Sequence, residues 1–202
     1  MADDPRQVRT RAALDAALRA LLRERRLDQI TVSDLCREAG VHRTTFYGHA
    51  TDVLDFAMRS FAGEIDRLGT VDADAQGGDA EALAVVYTSA LVDTLDAVVA
   101  ERDVYRALFG GPTGAVFGGM LAQRLAERAE IALHSFTARA VAGAPTDAAA
   151  RREAAAYIGA GVAAFIRAFA GVDDRETAEA AERARALLPA WWPGTPAASD
   201  RF

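Results

Sequence analysis

None of the 23 basic side chains in this 202-residue chain is a lysine; every one is an arginine. That absence excludes a Walker lysine, a Schiff-base lysine and a lysine general base. Cysteine is nearly missing as well, since Cys36 stands alone and no intramolecular disulfide framework is possible. No secretory leader pattern opens the sequence, so a reducing cytoplasm is the expected compartment. Long hydrophobic runs are lacking too. Two of the three longest uncharged stretches are residues 107–123, broken by Pro112 and five glycines, and residues 154–166. Neither offers the roughly 18 unbroken apolar residues a span needs, and no membrane span is expected. Catalytic signatures are absent: no G-x-S-x-G elbow, no paired cysteines, no H-E-x-x-H, and three histidines of which two share one segment. Neither an enzyme nor a cofactor is expected.

What remains is ample for a core, with 51% hydrophobic and 26% charged residues in a length that suits one or two domains. The net charge is −6, which taken over the whole chain argues against nucleic acid.

Apolar residues recur at three and four spacings with no sustained period-two alternation, so the fold class is all-α. A first helix is predicted from Pro5, behind Asp3 and Asp4, to about Arg26, its stripe Leu14, Ala17, Leu18, Leu21 and Leu22. Thr31 and Asp34 form a capping pair that opens a short helix to about Glu38. Gly40 breaks it, and a second short helix follows over about 43–48. From Asp52 a helix runs to about Leu68, and residues 69–80, with Gly77-Gly78 and three aspartates, read as a loop. Further helices are predicted at about 81–100, 101–109, 120–140, 148–170 and 174–188, with a glycine-rich break at 110–119 and an irregular tail past Trp192.

Residues 31–49 read TVSDLCREAGVHRTTFYGH: two short helices joined by a glycine turn, with Val32, Leu35, Val41 and Phe46 placed to seal them. That is helix-turn-helix spacing, in which the second helix enters a major groove. Arg43, Thr44 and Thr45 stand where a recognition helix meets base edges; arginine chelates guanine, and threonine contacts a thymine methyl or a phosphate. Tyr47 and His49, one turn on, suit backbone contacts. An ordinary helical hairpin with a polar face is the other reading.

The segment from about Leu14 to Phe61 resembles the N-terminal domain of TetR/AcrR-type regulators, whose pattern runs T-V-x-x-I-A-x-x-A-G-V-S-x-x-T-F-Y-x-H-F. Thr31, Val32, Ala39, Gly40, Val41, Thr45, Phe46, Tyr47 and His49 match, and Leu35 stands in for the isoleucine. The resemblance implies a three-helix DNA-binding domain at 1–50 and a larger helical ligand-binding and dimerisation domain at 51–202, with 52–68 as connecting helix. It implies DNA contacts by Thr31, Ser33, Arg43, Thr44, Thr45, Tyr47 and His49, among which Ser33, Arg43 and Thr44 vary with operator sequence in the family. The chain departs from the pattern at Arg26 (commonly glycine), His42 (serine), Ala50 (phenylalanine) and Val53, where the family has a phosphate-binding lysine. That contact must be made otherwise, by Arg43 or by Arg6, Arg9 and Arg11.

The function this implies is a ligand-responsive transcriptional regulator, a repressor that binds a palindromic operator as a homodimer and is released by a small lipophilic effector. A small-molecule sensor with weakened DNA binding, acting through a protein partner, is the alternative. Tyr87, Tyr105, Phe109, Phe117, Met120, His134, Phe136 and Phe169 are candidates for an effector cavity, and equally for plain core. Tyr157, Ile158, Gly161, Val162 and Phe165, with Ala178, Ala181, Ala184 and Leu188, form small and apolar faces. These suit a four-helix bundle with a twofold copy, the family's mode of dimerisation, or intrachain packing.

Three other patterns carry less. Cys36, His42 and His49 lack a fourth ligand, so no metal is expected and Cys36 reads as a small core thiol. Gly159-x-Gly161-x-x-Ala164 mimics a dinucleotide fingerprint but has no strand before it; its glycines suit close helix packing. The 110–119 segment, without lysine, reads as a turn beside a pocket. Divided by segment, residues 1–50 carry nine arginines against seven acids, +2, and residues 51–202 carry fourteen against twenty-two, −8. The acidity belongs to the second part, where it favours a neutral or cationic effector.

Overall fold

The computed structural model describes residues 4–68, 80–173 and 176–193. Nine α-helices run through them: α1 (Pro5–Leu22), α2 (Val32–Ala39), α3 (Arg43–Tyr47), α4 (Val53–Leu68), α5 (Ala80–Ala100), α6 (Arg102–Phe109), α7 (Gly114–Ala138), α8 (Ala148–Ala170) and α9 (Thr177–Ala186). A short 3-10 turn spans Leu27–Gln29, and no strand occurs among the described residues. The fold is all-α, as periodicity predicts.

Local chemistry explains most boundaries. The Asp4 carboxylate accepts from the Arg6 N–H at 2.9 Å with Pro5 in the first turn of α1. Asp52 accepts from the Asp55 N–H at 2.8 Å and opens α4. Asp147 accepts from the Ala149 and Ala150 N–H groups at 3.0 and 2.9 Å and opens α8. Each satisfies donors that a helix start leaves orphaned.

Two boundaries differ from those predicted. Helix α1 stops at Leu22, not near Arg26. The Arg26 N–H donates to the Gln29 side chain at 3.2 Å and its guanidinium bonds Asp28 at 3.0 and 3.1 Å, which holds the 3-10 turn instead. Helix α7 begins at Gly114, inside the glycine-rich segment expected to be a break. The Phe117 ring is fully buried there, against Phe61, Tyr105 and Phe109, and that burial outweighs the ~1 kcal/mol a helical glycine costs. The loop predicted at 69–80 lies outside the described residues except for Ala80.

The chain divides into two compact units. The first holds the described residues up to Gly63 with Arg102–Phe117; the second holds Glu64–Glu101 and the chain from Gly118 onward. In the first, α1 packs on α2 and α6, and Leu14, Leu18, Leu35, Phe46, Phe61 and Phe117 are fully buried. The Arg19 guanidinium lies 4.8 Å from the Phe61 ring centroid, a cation–π contact. In the second, α5 packs on α8 and α9, around a core of Ala129, Ala132, Leu133, Phe136, Ala155, Ile158 and Trp192. At Gly159 of α8 a Cβ would fall 2.5 Å from the Ala126 nitrogen and 2.6 Å from the Ala122 oxygen of α7, so the two backbones meet directly there. Gly161, by contrast, faces open space. By length and composition alone α8 is apolar enough to cross a membrane; one face of it is buried inside this unit.

Candidate nucleic-acid interface and ligand cavity

The α2–α3 hairpin is assembled by four local devices. Thr31 and Asp34 cap α2 reciprocally: the Asp34 N–H donates to Thr31 Oγ1 at 3.1 Å, and the Thr31 N–H donates to the Asp34 carboxylate at 3.1 Å. The Thr31 hydroxyl also donates to that carboxylate at 2.7 Å, so Thr31 is occupied with the cap. These bonds, with those from Arg37 and the nearby Arg25 charge, lower the Asp34 carboxyl from its ordinary 3.8 to about 2. Gly40 then takes the left-handed conformation, φ +64°, that ends α2 and re-aims the chain; other residues rarely adopt it. Phe46, fully buried with its ring 6.0 Å from that of Phe56, ties α3 to α4.

The fourth device was not foreseen. His42 is the N-cap of α3: its Nδ1 accepts from the Thr44 N–H at 3.4 Å and lies 2.9 Å from the Thr44 hydroxyl. The ring does the work of the serine that the family pattern has there. The signal was its position, one residue before a predicted helix start, but histidine is an uncommon cap.

With Phe46 turned inward, α3 presents Arg43, Thr44, Thr45 and Tyr47 on its outer side, Tyr47 being 54% exposed. Ser33 is exposed on α2, and His49 is half-buried just past α3. His49 shares a small crevice of about 70 Å³ with Arg11, Phe56, Arg59 and Ser60. The Arg6, Arg9 and Arg11 side chains lie on the first turns of α1 rather than on an arm. The Arg9, Arg11 and Arg43 side chains make no hydrogen bond or ion pair among the described residues. Val53 is buried at the start of α4, flanked by the Asp52 cap and by Asp55, which bonds Thr51 and Arg59. That end of α4 is acidic and closed where the family offers a lysine. Cys36 is buried and burial raises its thiol pKa, the behaviour of a core thiol.

The second unit contains a cavity of about 410 Å³, within the ~300–1,000 Å³ of small-molecule sites. Residues of α4, α5, α7 and α8 and the turn after α9 line it, among them Asp66, Tyr87, Leu91, Leu125, Val162 and Trp192. Of the eight effector candidates, Tyr87 alone is in its wall. Phe136 stands behind it, its ring 5.7 Å from Tyr87 and 5.0 Å from Trp192. Tyr105, Phe109 and Phe117 belong to the core of the first unit. Phe169 is buried against Phe165, Met120 is half-buried and His134 is exposed. Spacing could not sort these aromatics, because it shows that a residue faces inward but not which core it enters. Trp192 was missed for a simpler reason: it lies in a proline-flanked turn outside any periodic segment.

No protein-family model matches the chain, and no curated protein matches its sequence. Solved structures do match. A fatty acid degradation regulator FadR from Bacillus halodurans is 13% identical, with 94% of this chain and 98% of that one covered and a TM-score of 0.64. The dihydroxyacetone kinase operon activator DhaS is 16% identical over 89% and 93%, TM-score 0.61. The TetR family repressor AlkX from Dietzia sp., named as implicated in biodegradation of n-alkanes, is 19% identical over 87% and 93%, TM-score 0.53.

The chain has the TetR-type fold.

Within that TetR-type fold the dimerisation candidates fall on different faces. Tyr157 is 70% exposed and shares an outer stripe of α8 with Ala156, Ala160, Gly161, Ala164 and Ala168. Ile158, Val162 and Leu188 line the cavity instead. Phe165 is half-buried, Ala181 and Ala184 are buried, and Ala178 is exposed.

Proposed function

We propose that this protein is a ligand-responsive, sequence-specific DNA-binding transcriptional regulator of the cytoplasm, acting as a homodimeric repressor. The observation that carries the reading is α3: a capped five-residue helix, anchored by Phe46, whose outer side offers an unpaired Arg43 beside Thr45 and Tyr47. Residues 1–50 supply DNA binding; residues 51–202 supply ligand binding and dimerisation, with 52–68 connecting. Arg43 reads a base edge with Ser33 and Thr44 as lesser determinants, while Tyr47 and His49 grip the backbone. With Val53 buried, Arg11 beside His49 takes over the missing phosphate contact. Thr31 acts through the cap.

One helix of this length reads few base pairs, so two copies must read together, on half-sites about 34 to 36 Å apart. The outer stripe of α8 around Tyr157, with Leu187 of the α9 end 71% exposed, supports a bundle with a second copy. The cavity in the second unit houses the effector. Repression is lifted when the effector prefers, by a few kcal/mol, a dimer whose recognition helices miss the operator.

An electrophoretic mobility shift on DNA flanking the protein's own gene tests this. Retardation that survives excess unrelated duplex is expected. A chain that retards no sequence specifically at any salt concentration is not this kind of regulator, and the partner-protein sensor would replace it.

A further inference from the structure

The cavity of the second unit sorts its walls by chemistry. Its aliphatic side, Leu91, Leu125, Ile158, Val162 and Ile166, carries no polar atom beyond the backbone. Its charged lining residues, Asp66, Arg124, Glu127 and Arg128, form one cluster: Arg124 lies 3.3 Å from Glu127, and both arginines lie 3.9 Å from Asp66. Two cations and two anions cancel formally, but they are not equally wet. The Asp66 and Glu127 side chains are 51% and 48% exposed, whereas Arg128 is 21% exposed. Its Nη2 is buried and has no hydrogen-bond partner among the described residues. The Asp66 carboxylate, at 3.9 Å, is too far to supply one. Burial pulls the Arg128 guanidinium below its usual pKa despite Asp66, with Arg124 adding to the fall. The cation is under-compensated, a costly state for a buried charge.

We propose that the cavity binds an amphipathic monocarboxylate, its apolar body on the aliphatic wall and its carboxylate compensating Arg128 in place of the loose Asp66 pair. This rests on the cavity being the effector site. It reverses the preference drawn from net charge, for a physical reason. Surface acids of the acidic part act through water and are screened beyond about 10 Å at 0.1 M salt, while a carboxylate within a few ångströms of a half-dry guanidinium acts through a far lower effective dielectric. The local cation decides.

The test is direct binding to the full-length chain, read by tryptophan fluorescence and calorimetry, with three probes of one tail length below their micellar range: decanoate, decanol and decyltrimethylammonium. Decanoate is expected to bind at least about tenfold tighter than decanol, as a charge-assisted bond to arginine allows. Arg128→Met, which keeps the apolar stem, is expected to abolish that preference while leaving decanol affinity within about twofold. Asp66→Asn is expected to tighten decanoate several-fold by removing the competing carboxylate, a gain that a merely structural role would not produce. That variant keeps the proposal falsifiable should Arg128→Met fail to fold. Equal binding of decanoate and decanol, preference for the cation, an undiminished preference in Arg128→Met, or binding of none of the probes overturns it. The DNA shift is a separate readout. Specific retardation without carboxylate preference defeats this inference alone, and carboxylate binding without retardation supports it while defeating the regulator reading.

Discussion

The α2–α3 hairpin and the α7–α8 pair are both helix pairs, yet they are held by opposite kinds of information. The hairpin depends on side chains that do something: Thr31 and Asp34 cap, His42 caps, Phe46 plugs, with Gly40 turning the chain between them. The α7–α8 pair depends on side chains that are missing, since Gly159 meets Ala122 and Ala126 across a backbone-to-backbone approach. Positive chemical signals occupy fixed positions and are legible in a sequence. Smallness is legible only as composition, because alanine and glycine fit nearly any helix and do not name their neighbour.

The comparison is broken most forcefully at the hairpin plug. Phe46→Ala removes a fully buried ring and is expected to cost about 3 to 5 kcal/mol, abolishing DNA retardation while fluorescence of Trp192 still reports a formed cavity. Simultaneous loss of both would mean that the two units do not hold their structures separately.

Gly159→Ala makes the reciprocal cut. A single methyl placed 2.5 Å from the Ala126 nitrogen is expected to cost about 1 to 3 kcal/mol by overpacking, measured by urea denaturation, and to blunt the cavity before the hairpin. A neutral outcome would show that α7 and α8 slide apart freely. His42 gives a smaller, sharper effect. His42→Ala is expected to lose about 1 kcal/mol and His42→Ser to recover most of it, because the cap needs an acceptor and not a ring. If serine behaved like alanine, the contact to Thr44 would not be acting as a cap.

Acid separates the units with no mutation at all. The carboxyls of Asp28, Asp34 and Asp55 in the first unit are lowered by bonds to Arg26, to Thr31 and Arg37, and to Thr51 and Arg59; in the second, Asp147 is lowered by its cap bonds to Ala150 and Ala149. A carboxyl with a depressed folded pKa contributes stability that is present above its ordinary value and lost as pH falls through the depressed one. Between about 3.8 and about 2, the range set by Asp34, amide exchange is therefore expected to rise first in α2. Asp34→Asn should flatten that dependence.

The same contrast explains what was legible in the sequence. The all-α class, the reach of α4 and α8, the Gly40 turn and the exposed row Arg43, Thr44, Thr45 and Tyr47 follow from periodicity, caps and one plugging phenylalanine. The start of α7 did not, because glycines at 114, 118 and 119 read as a break until Phe117 is seen buried beneath them. Nor did the cavity. Its wall takes Tyr87 from α5 and Trp192 from a turn over a hundred residues later, and no local pattern pairs residues so far apart. No sequence pattern separates Arg128 from the other arginines, and only burial marks it out.

The central claim is that α3 reads DNA through its outer side in two symmetric copies. Selection of bound sequences from a random duplex pool, run on wild type and on Arg43→Ala, tests it most directly. The account predicts an enriched palindrome with half-sites about one helical turn apart. Arg43→Ala should lose preference at one position per half-site, worth about 1 to 3 kcal/mol, while Tyr47→Phe weakens all sequences alike. A wild-type pool without enrichment, or an Arg43→Ala pool with the same preferences as wild type, would contradict it.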